Sequence, residues 1–129
     1  MYKEIIISVI ILFIVFLGNG ITESYTKESV DETTNLLMEL REELYKEEIN
    51  KDEVNKKIEY IHSRWDERYE TLAYYLEHDE LEKVETELTD VIGKIQVEEY
   101  NEAVPELDKC VFILEHIKIK NEFSLKNIF

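Results

Sequence analysis

The chain has 129 residues with three glycines, one proline and one cysteine, and it carries a formal net charge of −15. That length gives one domain, and the scarcity of turn-forming residues beside abundant Glu, Lys and Leu points to long helices with short joints. The charge lies wholly after Gly20, because Lys3 and Glu4 cancel; it repels phosphates and anionic headgroups, which excludes nucleic acid as a partner and a domain lying flat on a bilayer.

From Ile5 to Leu17 every residue but Ser8 is strongly apolar, so the chain opens on a targeting or anchoring segment that enters the lipid bilayer. A span wants about 20 residues, and a shorter core suits a signal peptide. Gly18 and Gly20 supply small residues for such a cleavage, which gives secretion after cleavage near Gly20 as the alternative. Snorkelling of Lys3 and extension through Ile21 make a short but workable span instead, and a retained signal anchor is the expectation. No cysteine lies nearby, which excludes a lipoprotein. Lys3 and the amino terminus precede the run, whereas Glu23, Glu28, Asp31 and Glu32 outweigh Lys27 after it. The basic side stays in the cytoplasm, so the expectation is a single-pass protein of the cell membrane with its domain outside. Residues 1–21 thus read as the membrane anchor or signal segment, and 22–129 as an extracytoplasmic acidic helical bundle.

A polar lead from Thr22 to Thr26 precedes a first stripe at Val30, Leu37, Leu40 and Leu44, with Leu36 beside it. The second stripe, Val54, Ile58, Ile61, Trp65, Tyr69, Leu72 and Leu76, advances by threes and fours and predicts a helix capped by Asn50 or Asp52. Asp79 with Glu82 resembles a capping box and predicts a break near His78, ahead of a third stripe at Leu81, Val84, Leu88, Val91 and Ile95. The last stripe is Ala103, Leu107, Cys110 or Val111, Leu114 and Ile117. It predicts a helix from about Asn101 with Pro105 near its first turn. Cys110, alone and among Val111, Phe112 and Leu114, reads as a small buried apolar residue. The fold class is all-α: a transmembrane or signal-anchor helix followed by an antiparallel up-down four-helix bundle. Fusion of the second and third segments into one coiled-coil rod, with the protein a homodimer through it, is the alternative.

Few side chains offer chemistry. His78 and His116 each stand beside carboxylates, Glu80 among them, and two imidazoles with a carboxylate suit a transition metal if the helices bring them together. Glu59 and His62 have the Glu-x-x-His spacing of di-iron bundles, but no second copy exists, because Tyr75 and Ile113 occupy the positions three before the other histidines. His62 therefore reads as bordering the core and Glu59 as a solvated charge. Tyr60, Trp65, Tyr69, Tyr74 and Tyr75 have the spacing of core and rim packing. Adjacent carboxylates such as Glu42 with Glu43 do not face one another. With no nucleophile elbow, phosphate loop, dinucleotide fingerprint or calcium loop, the expectation is no enzyme and no cofactor. Beyond the last stripe, Phe123, Leu125, Ile128 and Phe129 gather apolar surface in a tail that needs a cover: its own bundle, or a docked membrane protein.

The stretch from Trp65 through His78-Asp79-Glu80-Leu81-Glu82, the ending Glu115-His116-Ile117, and the tail Ser124-Leu125-Lys126-Asn127-Ile128-Phe129 resemble an uncharacterised bacterial family of short helical proteins. Its members have one N-terminal membrane segment and a Ser-Leu-x-Asn-Ile-Phe-type tail. The resemblance covers most of the chain and brings no activity, substrate or cofactor. It implies a retained anchor and association with a small integral membrane protein. The function expected from the residues is a non-catalytic, membrane-tethered interaction module, with a metal- or ligand-binding bundle using His78 and His116 as the alternative.

Overall fold

A computed structural model describes residues 1–74 and 76–128, with the backbone alone for 124–128. Its helices are α1 (Tyr2–Leu44), α2 (Lys51–Leu72), α3 (His78–Gln96) and α4 (Tyr100–Ile128), with no strand among the described residues.

The apolar segment and the first bundle helix are one element. α1 runs unbroken for 43 residues, about 65 Å at 1.5 Å per residue. It is long and apolar enough to cross a membrane, and none of its most apolar window is buried by the rest of the protein. The polar lead at Thr22 to Thr26 is helical too, and its hydroxyls bond back along the helix. Thr22 donates to the Asn19 carbonyl (3.0 Å), Thr26 to Thr22 (2.8 Å), Ser29 to Tyr25 (2.7 Å) and Thr33 to Ser29 (2.8 Å). Hydroxyls satisfied by their own helix carry little burial penalty. Thr26, Ser29 and Thr33 accordingly lie in the interior, continuing downward the stripe of Val30, Leu37, Leu40 and Leu44.

The other stripes bury as the spacing predicts, except that Tyr69 and Leu76 are half-buried; Trp65 at 1% exposure is the largest fully buried side chain, its ring edge-on to Tyr69. Ion pairs fix the directions of the helices. Arg41 meets Asp108 and Asp31 meets Lys118, so α4 runs antiparallel to α1. Glu28 and Glu32 meet Arg68 and Arg64, which sets α2 antiparallel to α1, and Lys94 with Glu102 and Lys120 with Glu80 do the same for α3 and α4. Each helix packs on its two sequence or spatial neighbours, α1 closing the ring with α4, and α2 and α3 approach least closely. The fused rod is not formed, because the chain turns between Leu72 and His78.

The joints are short. Asn50 caps α2 by accepting from the Glu53 amide (3.2 Å). α3 begins at His78 after Glu77, which makes no side-chain cap bond, so the expected Asp79–Glu82 box is not what starts it. Between α3 and α4 the Glu99 amide reaches the Lys94 carbonyl (2.9 Å) and the Glu98 amide the Ile95 carbonyl (3.0 Å). This is a Schellman turn with Glu98 at φ 60°, a left-handed position usually given to glycine. α4 starts at Tyr100, and Pro105 falls in its second turn.

Candidate functional site

The histidines singled out from the sequence do not meet. His78 opens α3 and turns its Nε2 to Glu82 one turn on, at 3.1 Å, both well exposed. His116 lies on the outer side of α4 in a cleft of about 480 Å³ that Glu80 also lines. The Glu80 carboxylate is taken by Lys120 (2.8 Å). Among the described residues, the sets of three such side chains with donor atoms within 4.8 Å of one another are two others: His62 with Asp66 and Glu85, and Glu87 with Asp90 and Glu106.

The first set spans α2 and α3. His62 and Asp66 stand one turn apart, with Nε2 3.7 Å from Oδ1. Glu85 approaches from α3, and burial, followed by the Asp66 carboxylate, pushes its pKa above the ordinary carboxylate value. The buried indole of Trp65 favours the ionised form of Glu85, yet its Nε1–H lacks hydrogen-bond geometry to any partner. Beside His62 opens a cleft of about 400 Å³ lined by Asn55, Glu59, Thr89 and Gln96 with Ile58 and Ile92. His62 is thus half-buried and Glu59 exposed, as their spacing suggests. Asp66 and Glu85 are the partners that sequence reading missed. The His-x-x-x-Asp step is visible along α2, whereas Glu85 needs the register of α3.

The second set is all acidic. The pKa of Glu87 is raised, by burial first and then by the neighbouring Glu106, whereas that of Glu106 is lowered, chiefly by Glu87 across the α3–α4 seam.

Between α1 and α2 lies a dense charge cluster. Glu32 accepts from Arg64 Nε (2.6 Å) and Nη2 (3.1 Å) and from both Nε and Nη2 of Arg68, whose guanidinium also stands 5.0 Å above the Tyr25 ring. Its pKa is drawn down to about 2, chiefly by the Arg64 hydrogen bond. Carboxylates held by two guanidiniums are structural clamps. Cys110 has no partner thiol and is buried, which pushes its pKa up to about 12 and leaves it unreactive.

The tail is helical in backbone to Ile128. Phe123 is 64% exposed and therefore does not cap the core; with Phe112 and Ile119 it leaves apolar surface along α4. The side chains of Leu125 and Ile128, and Phe129 altogether, fall outside the described residues.

Compared with known proteins, residues 20–128 match the family described as "Domain of unknown function (DUF4363)". No curated protein and no solved structure matches the chain.

Proposed function

The chain belongs to the DUF4363 family, and on that premise we propose that it is a non-catalytic, membrane-tethered interaction module whose bundle stands outside the cytoplasm and meets an integral membrane protein. One observation carries this: the register of α4 on α1. Asp31 faces Lys118, so ten residues back along α1 and ten forward along α4 bring Ile21 level with Ile128. α4 outruns its other neighbour, since Lys120 already stands opposite Glu77 and Glu80 at the beginning of α3. With α1 across a bilayer, that register carries the backbone from Phe123 to Ile128 back to the height at which α1 leaves the lipid. Tyr74, 88% exposed on the α2–α3 joint, stands at the same end, and tyrosine favours the interfacial layer. A retained anchor, rather than cleavage near Gly20, would be joined rigidly to the bundle by the unbroken helix through Gly18 and Gly20.

In a bacterial host the full chain should sediment with membranes and resist carbonate extraction. Protease added to spheroplasts should remove the bundle and spare residues 1–21. A photo-reactive residue replacing Phe123 should crosslink to a membrane protein, and deleting Leu125 to Phe129 should abolish that product. A soluble chain beginning at Ile21, or a bundle digested only after permeabilisation, refutes the proposal.

A further inference from the structure

His62 and Asp66 project from one face of α2, and Glu85 reaches them from α3, so that one imidazole and two carboxylates come within 4.8 Å of one another. The 3.7 Å from His62 Nε2 to Asp66 Oδ1 is close to the separation of about 3.3 Å between ligand atoms that share a tetrahedral zinc ion at about 2.0 Å. A small rotamer change therefore closes the set. Left to themselves, these groups are poorly matched. Asp66 and Glu85 are two like charges meeting one imidazole, at the seam where the bundle's helices approach least.

A second observation points into the same place. Trp65 is 1% exposed, and its Nε1–H makes no fully formed hydrogen bond, yet it is close enough to Glu85 to favour that carboxylate's ionised form. Buried indole N–H groups generally find an acceptor. A carboxylate drawn onto a cation by one oxygen presents its other oxygen in a fixed direction, where a neighbouring indole N–H can donate to it. Outer hydrogen bonds of this kind orient metal ligands.

We propose that His62, Asp66 and Glu85 bind one divalent transition-metal ion of the zinc type, stapling α2 to α3, with the Trp65 indole N–H supporting Glu85. The mixed nitrogen and oxygen donors select zinc-like ions over calcium and magnesium, which prefer oxygen alone. A cleft of about 400 Å³ lies against His62, with Glu59 and Thr89 on its walls, and gives solvent and ions a way to the imidazole.

The test uses the full chain in detergent micelles, without an affinity tag and stripped with a chelator, titrated with zinc alone in the presence of magnesium to suppress diffuse binding by the acidic surface. The expected result is one zinc per chain and a melting temperature that rises with zinc concentration. His62→Ala should weaken binding by at least about tenfold with helicity retained, since the half-exposed side chain is not part of the core, and Glu85→Gln should do likewise. Cobalt should quench the fluorescence of Trp65, the chain's single tryptophan, in the parent and not in His62→Ala. Zinc binding unchanged in His62→Ala, or lost instead in a His78→Ala/His116→Ala variant, overturns the proposal. So does the absence of stoichiometric binding at millimolar zinc.

Discussion

Glu32→Gln removes one charge from a side chain that receives hydrogen bonds from Arg64 and Arg68 and is about one quarter exposed. The substitution preserves size, so what is lost is electrostatic. A carboxylate whose pKa falls from 4.5 to about 2 on folding gains at most about 3 kcal/mol, at about 1.4 kcal/mol for each tenfold change in proton affinity. Solvent access reduces that, and the glutamine retains one acceptor oxygen, so the expected destabilisation is about 2 kcal/mol near neutral pH. Arg68 bears most of it, because its side chain is 12% exposed and its remaining charged partner, Glu28, stands at 3.7 Å. The sign with pH follows from the lowered folded-state value. The stabilisation is complete above the unfolded value near 4.5 and is lost as pH falls through about 2, so parent and variant converge over that window. Urea unfolding of the full chain in micelles, followed by Trp65 fluorescence, reads the bundle directly, because Trp65 lies on α2 between the two arginines. A difference below about 0.5 kcal/mol at pH 7, or one that persists undiminished at pH 2, refutes the clamp.

Trp65→Ala empties the largest buried site in the core and should lower stability by about 3 to 5 kcal/mol, read by far-ultraviolet circular dichroism in urea; a loss below about 1 kcal/mol means the indole is not packed as described. Glu98→Gly should raise stability by about 0.5 to 1 kcal/mol, because it relieves a left-handed backbone while giving up only the exposed pair with Lys51, and a fall in melting temperature contradicts the Schellman turn.

The four stripes were legible because burial of aliphatic side chains on one helical face imposes steps of three and four that no other arrangement needs. Asn50 was legible for the same kind of reason: a side-chain oxygen at the end of a periodic run has one obvious use. What the sequence hid is where polarity and burial coincide. Thr26, Ser29 and Thr33 look like a solvated lead, and only the hydroxyl bonds back along α1 make their burial tolerable. The turn at Glu98 carries no glycine, so composition gives no sign of a left-handed residue there. At the candidate sites the obstacle was register between helices. His78 and His116 look equivalent as letters, yet His78 is engaged with Glu82 on its own helix, while His62, set aside for want of a second Glu-x-x-His, finds Glu85 across the α2–α3 seam.

The bundle is not built alike along its length, and the difference bears on the tether. Its far half is held by Leu37, Leu40 and Leu44 on α1 against aliphatic partners, which gain from burial with little regard to direction. The half nearer the apolar segment buries Thr26, Ser29 and Thr33 and is clamped by Glu32, Arg64 and Arg68 and by Asp31 with Lys118, contacts that depend on orientation. α1 enters that half with no break between residues 2 and 44, so a tilt of the apolar segment has no hinge in which to dissipate. On the proposed reading, the tether is therefore a rigid arm: it fixes how the acidic bundle stands over the bilayer and holds the end of α4 beside the same exit point. A membrane partner would then meet two helix segments in one fixed geometry, and a flexible glycine-rich insertion near residue 21 should weaken the Phe123 crosslink while leaving the bundle's own melting unchanged.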